Sequence, residues 1–284
     1  MREEAAARHG SRPLRDGYIE GMRRIALGMY CYLMFFLLAV GFLIPMGLVA
    51  VFSRRDPAMR LRGRWMRRFG RATNALNPLW HFRVEGSKPA GIDSHAFVVV
   101  SNHQSSSDPF LLSSLPWDMR WVAKVELFSK PLVGWLLHLG GDIPLHRGER
   151  ASVETMLAQC RTTLARGVSV MFFPEGTRSP DGHLQAFKDG AFQLAIESGV
   201  PVLPVVVQGT RACRPKGNLW FGDASAVVRV LAPVSTAGMT LADVPALKER
   251  VRDQIATVLA ELESRAARSV PSRTLQPRLH NESH

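Results

Sequence analysis

From Ile25 to Phe52 the chain reads IALGMYCYLMFFLLAVGFLIPMGLVAVF, and no residue in the run is charged. As a straight helix, its 28 residues would rise roughly 42 Å, against a bilayer hydrocarbon core of about 30 Å. A single tilted span fits that length. So does a re-entrant hairpin, because Gly41, Pro45 and Gly47 interrupt the second half. Arg23 and Arg24 precede the run; Arg54, Arg55, Arg60, Arg62, Arg64, Arg67, Arg68 and Arg71 follow it. If both flanks obey the positive-inside rule, both ends stay on the cytoplasmic face, which favours the hairpin. If one flank prevails, the denser second cluster stays inside. Either way the remaining chain is expected at the inner (cytoplasmic) membrane, facing the cytoplasm. The length of the run and its late start argue against a cleaved signal peptide.

After Phe52, the stretch RRDPAMRLRGRWMRRFGR sets Met59, Trp65, Met66 and Phe69 among arginines. That is the pattern of an interfacial helix on anionic lipid, with a solvated basic helix as the alternative. The chain therefore divides into a cytoplasmic tail (1–24), a membrane helix or hairpin with its basic helix (25–72), a main domain (73–265) and a disordered tail (266–284).

Within the main domain, AFVVVS (96–101), VSVMFF (168–173), PVLPVVVQG (201–209) and AVVRVL (226–231) read as short buried strands. Helical stripes separate them. In 151–166, Val153, Met156, Leu157, Cys160 and Leu164 follow helical spacing; 186–198 stops before Gly199; and 243–265 carries Leu247, Val251, Ile255, Val258 and Leu262. The expected fold is α/β, a largely parallel sheet flanked by helices, preceded by an N-terminal membrane-embedded helical segment.

The net charge of +12 suits a polyanionic partner: nucleic acid, an anionic membrane face or a phosphorylated substrate. Only six of the basic residues are lysines, an imbalance that a compositional bias would also produce, so charge alone selects no partner. Cys31, Cys160 and Cys213 lack metal-ligand spacing and read as free thiols.

In sheets of this kind, reactive groups gather in loops beyond the carboxyl ends of strands. Two loops qualify. NHQSSSD follows strand 96–101, and its His103 and Asp108 lie five apart, close enough for a turn to join them. A histidine can take a proton from a hydroxyl when a carboxylate fixes its tautomer and steadies the imidazolium. Asp108 before Pro109 is equally a helix-cap signature. The second loop, PEGTRSPDG, follows strand 168–173 with a carboxylate (Glu175), a flexible glycine (Gly176), Thr177 and Arg178, whose planar fork suits a phosphate. Phosphate-loop, dinucleotide, nucleophile-elbow and zinc motifs are all missing, so any nucleophile must come from the substrate.

These residues carry a resemblance. NHQSSSD resembles the NHX4D motif of the glycerolipid acyltransferases and FPEGTRS their second signature block, while GGDIPLHR (140–147) and VPVLPVVV (200–207) are similar to two further blocks. Within that family the match is to the bacterial 1-acyl-sn-glycerol-3-phosphate acyltransferases, whose segment after the first block VAKVELF (122–128) also resembles. The resemblance implies His103 as general base, oriented by Asp108, and direct attack of the acceptor hydroxyl on a thioester. Glu175, Gly176, Thr177 and Arg178 would shape the acceptor site, with Lys124 helping Arg178 on the phosphate and Arg147 closing the middle block. It implies no bound cofactor, acyl-CoA or acyl-carrier protein as co-substrate, membrane lipid (lysophosphatidic acid) as acceptor, and no nucleic acid partner. One departure is LHR where members often read Ile-Asp-Arg: His146 replaces the acid, leaving acceptor preference open. The same chemistry on glycerol 3-phosphate, a lysophospholipid or a lyso-ornithine lipid, a thioesterase, and a non-catalytic basic membrane scaffold remain as alternatives.

Overall fold

A computed structural model describes residues 12–179, 181–214 and 219–269 of the chain. The expectations for residues 1–11 and 270–284 lie outside the described residues.

Helix α1 (Arg12–Phe52) is a single element of 41 residues with Pro45 inside it, so the hairpin considered within residues 25–52 does not form. In an apolar surrounding a chain reversal would strand backbone N–H and C=O groups, whereas a continuous helix satisfies nearly all of them internally. The helix also begins at Arg12, within the stretch expected as a tail.

The reversal comes one element later. After a turn at Ser53–Met59, Asp56 accepts backbone N–H groups of Ala58 (3.1 Å) and Leu61 (3.4 Å), and α2 (Arg60–Leu76) runs back along α1. Arg62 donates to Ala50 O (2.7 Å) near the turn, and the Tyr30 hydroxyl to Leu76 O (3.1 Å) at the far end. Trp65, Met66 and Phe69 pack in one cluster with Phe35, Phe42 and Leu136. Arg64, Arg68 and Arg71 remain exposed. On α1 the outward stripe Met29, Leu33, Phe36, Leu37, Val40, Ile44, Leu48 and Val51 is exposed along its length.

The main domain is a seven-stranded sheet: β1 (Trp80–Glu85), β2 (Val98–Ser101), β3 (Met119–Lys124), β4 (Ile143–Leu145), β5 (Ser169–Phe172), β6 (Val202–Gln208) and β7 (Ala224–Val230). Their order is β1-β7-β6-β2-β5-β3-β4, and every pair is parallel except β6 with β7. The largely parallel α/β expectation holds. Both β2 and β5 are buried along their whole length, as strands covered on two faces must be. One face packs against α6 (Arg150–Ala165), α7 (Gly190–Glu197) and α8 (Val244–Ser269). The other is covered around α3 (Asp108–Leu112) by Leu111, Leu112, Leu115 and Trp117. Two further helices, α4 (Val125–Phe128) and α5 (Val133–Gly140), link β3 to β4, and α5 packs on α1 through Leu136.

Helix α2 is seated on the sheet by buried arginines. Arg120 of β3 bonds both oxygens of Asp118 (2.9 Å each) and the carbonyls of Ala58 (3.0 Å) and Met59 (2.6 Å). Gly63 makes this approach possible, since a Cβ there would lie 1.9 Å from Arg120 Nη1 and 2.4 Å from Asp118 Oδ1. Gly63→Ala is expected to destabilise the protein by about 1–3 kcal/mol, the usual cost of overfilling a packed site. Thermal unfolding of wild type and variant side by side measures it.

Candidate active site

Strand β2 ends in a clasp. The buried Asn102 side chain accepts from Val207 N (2.8 Å) and donates to Val207 O (2.8 Å), substituting for a rung of the ladder with β6. The next residue, His103, leaves the sheet and is held from four sides. Its N–H donates to Glu175 Oε1 (2.6 Å), and its carbonyl accepts from Ser179 N (2.9 Å). Its ring stacks on Phe173, with centroids 4.0 Å apart and planes at 17°. Nδ1 lies 2.7 Å from Asp108 Oδ2.

Asp108 is fully buried. Its Oδ2 also accepts the N–H groups of Gln104 (2.8 Å) and Ser105 (3.0 Å), and its Oδ1 accepts the hydroxyl of Thr210. The helix-cap alternative fails here. Ser107 occupies the cap position of α3, Asp108 is the first helical residue, and its carboxylate folds back onto the preceding loop. With Oδ2 accepting two backbone N–H groups, the contact suits the tautomer in which Nδ1 donates to Asp108 and the lone pair lies at Nε2.

Glu175 is 5% exposed and bridges two loops, accepting His103 N on one oxygen and Gln185 N (3.0 Å) on the other. Burial raises its pKa, opposed by the N–H groups of Gln185 and His103. Gly176 turns the loop at φ +73° beneath the Lys188 side chain, which a Cβ would strike at 2.9 Å. Thr177 and Arg178 are exposed and line a cleft of about 860 Å³ that also includes Gln104 and Gly209.

Strands β2, β5, β3 and β4 are parallel neighbours, so His103, Glu175, Lys124 and Arg147 all emerge at one edge of the sheet. Lys124 pairs with Glu126 at 2.6 Å and is absent from the lining of the Arg178 cleft. Arg147 is exposed, and the neighbouring His146 lies 3.1 Å from Glu149.

Phe173 and Thr210 are additions to the residues read from sequence. Thr210 follows β6 as Glu175 follows β5, so the strand-end rule could have pointed to it. Phe173 is backed by Trp121 (6.5 Å, 20°), and Trp121 by the guanidinium of the buried Arg67 (4.5 Å). Aromatic stacking of this kind contributes about 0.5–1.5 kcal/mol. Phe173→Leu should therefore lower kcat by up to about tenfold with KM little changed, as steady-state kinetics would show.

A His–Asp pair with a buried carboxylate, at the carboxyl edge of a parallel sheet with a Glu-Gly-Thr-Arg loop beside it, is the arrangement that the resemblance to the glycerolipid acyltransferases implied, and the comparisons support that family. The acyltransferase family model matches residues 81–208. Human 1-acyl-sn-glycerol-3-phosphate acyltransferase beta is 33% identical over 224 residues, 78% of this chain and 77% of that protein. The chain belongs to the acyltransferase family. It is also 34% identical to the chloroplastic 1-acyl-sn-glycerol-3-phosphate acyltransferase BAT2 of Brassica napus, over 64% of this chain, but spans only 55% of that protein's length. In three dimensions it is similar to the 1-acyl-sn-glycerophosphate (LPA) acyltransferase PlsC of Thermotoga maritima, with a TM-score of 0.70, 29% identity, and coverage of 86% of this chain and 98% of that one.

Proposed function

We propose that the protein transfers a fatty acyl group from an acyl thioester to the sn-2 hydroxyl of 1-acyl-sn-glycerol 3-phosphate, giving phosphatidic acid for phospholipid synthesis. The observation that carries this is the His103–Asp108 pair, a ring fixed by a buried carboxylate that leaves Nε2 for a hydroxyl proton. As the acceptor oxygen attacks the thioester carbonyl carbon, its proton passes to Nε2 and Asp108 steadies the imidazolium. Collapse of the tetrahedral intermediate breaks the carbon–sulfur bond, and the imidazolium returns the proton to the departing thiolate. No acyl-enzyme forms. The donor is acyl-CoA or acyl-carrier protein.

In this reading Glu175 holds His103 in place, Gly176 and Thr177 shape the acceptor site, and Arg178 takes the acceptor phosphate as a two-pronged donor. Lys124 and Arg147 add positive charge along the same edge. The single candidate span among the described residues lies within Glu20–Phe52, where an 18-residue window reaches a mean hydropathy of 2.6. It anchors the enzyme in the inner membrane with the catalytic domain on the cytoplasmic side. There Arg54, Arg55, Arg64, Arg68 and Arg71 meet anionic lipid.

Acceptor competition tests the assignment. With labelled acyl-CoA, an excess of unlabelled lysophosphatidic acid should suppress labelling of lysophosphatidylcholine and glycerol 3-phosphate. Preferred labelling of either of those would overturn the acceptor while leaving the chemistry.

A further inference from the structure

Resting on that reading, we propose that Arg211 and Arg214 form a second phosphate-ester contact in the cleft beside His103, apart from the role given to Arg178. Both follow β6, in and just after the 3-10 turn Thr210–Cys213, and line the same cleft of about 860 Å³ as Gln104, Thr177 and Arg178. That volume falls within the ~300–1,000 Å³ of sites that take small organic ligands.

The sheet order separates two basic groups. Lys124 and Arg147 emerge from β3 and β4, beyond β5, whereas Arg211 and Arg214 follow β6 on the opposite side of β2 and His103. The reaction brings two phosphorylated molecules to one histidine, so basic groups on both flanks match its needs. Both arginines are placed by their surroundings. A Cβ on Gly182 would lie 2.8 Å from Arg211 Nη1, so the glycine leaves room for the guanidinium. The Arg214 guanidinium lies 5.9 Å over the ring of Phe221, which packs 5.0 Å from Tyr32 of α1.

Two acids share the cleft. Oδ1 of Asp181 accepts the Ser179 hydroxyl (3.1 Å) and His183 N (3.0 Å). Glu263, exposed on α8, opposes the arginines and gives the proposal a reverse test.

A phosphate ester could enter from the donor, as the 3′-phosphorylated nucleotide of CoA, or from the acceptor headgroup. Arg211→Ala and Arg214→Ala should each raise KM for one phosphorylated substrate about tenfold with kcat within about threefold, and Arg211→Lys should recover part of the loss. Glu263→Gln should lower the same KM, an effect that damage to the fold would not produce. If the donor is the ligand, the effect disappears with an acyl-pantetheine lacking the nucleotide; if the acceptor is, it disappears with a monoacylglycerol. Calorimetry with 3′-phosphoadenosine 5′-diphosphate and with glycerol 3-phosphate reads the site without turnover. A wild type that binds one of these, but transfers no acyl group, would count against the proposed reaction and not against this site. Unchanged KM values for both substrates in both alanine variants, or weaker binding in Glu263→Gln, would overturn it.

Discussion

His103→Ala should lower kcat by about 10²–10⁴-fold, the range a positioned general base supplies, while the protein stays folded. The ring contributes little to the core: its side chain is 13% exposed, and the backbone bonds to Glu175 and Ser179 do not depend on it. Asp108→Asn separates orientation from burial. An amide with its oxygen in the place of Oδ2 keeps the Gln104, Ser105 and His103 contacts and turns its NH2 to Thr210, whereas the flipped amide sets its NH2 against Nδ1 and both N–H groups. Where it faces Nδ1, the ring hydrogen moves to Nε2 and the lone pair is lost from the reacting side. A large fall in kcat with substrate binding retained is the expected result for both variants. Turnover within threefold of wild type for His103→Ala would remove the histidine from the reaction.

The second large effect is expected at Glu175. Its two oxygens accept backbone N–H groups from His103 and from Gln185, fastening the catalytic loop to the segment that follows the cleft. Glutamine keeps the shape but accepts through one oxygen, so one buried N–H meets an NH2 group and is left unpaired. Such an orphan costs about 1–3 kcal/mol. Because the displaced group is the backbone of His103, and a shift of about 1 Å can reduce turnover about 10²-fold, Glu175→Gln should lose about 10–100-fold in kcat. Denaturant unfolding and kinetics on one preparation check both. A stable variant with full activity would remove Glu175 from the positioning of His103.

The sequence made the interior of the sheet legible. VVVS and SVMF are buried at every position and apolar but for one serine each, because parallel central strands are covered on both faces; β6 is buried as far as Gln208, while β7 leaves Ser225 exposed. The strands β1, β3 and β4 left no such mark. WHFRVE is partly exposed, IPL is three residues with a proline, and MRWVAK contains a buried arginine. Burial of Arg120 is possible because Asp118, its near neighbour in sequence, and two carbonyls from the turn before α2 meet it there, and the carbonyl contacts cross some 60 residues that no local pattern encodes.

The membrane segment shows the same limit. Its apolar length was plain, but whether it reversed depended on what packs against it. The α1–α2 hairpin is set by Phe42, Trp65 and Phe69 meeting across the two helices. At the site, the five-residue spacing of His103 and Asp108 allowed a pair that a turn can close, but fitted a helix cap equally well. Thr210 stood at a strand end that the sequence marked, but its bond to Asp108 and the Phe173 stack come from other strands and needed the sheet order.

The most direct test of the account follows release of the thiol from acyl-CoA by detergent-solubilised wild-type protein, with and without lysophosphatidic acid. Direct attack by the acceptor predicts no release until lysophosphatidic acid is added, and then one phosphatidic acid for each free CoA. Release of CoA with free fatty acid in the absence of acceptor, or a burst of one CoA per enzyme leaving a stable acyl-protein, would contradict it.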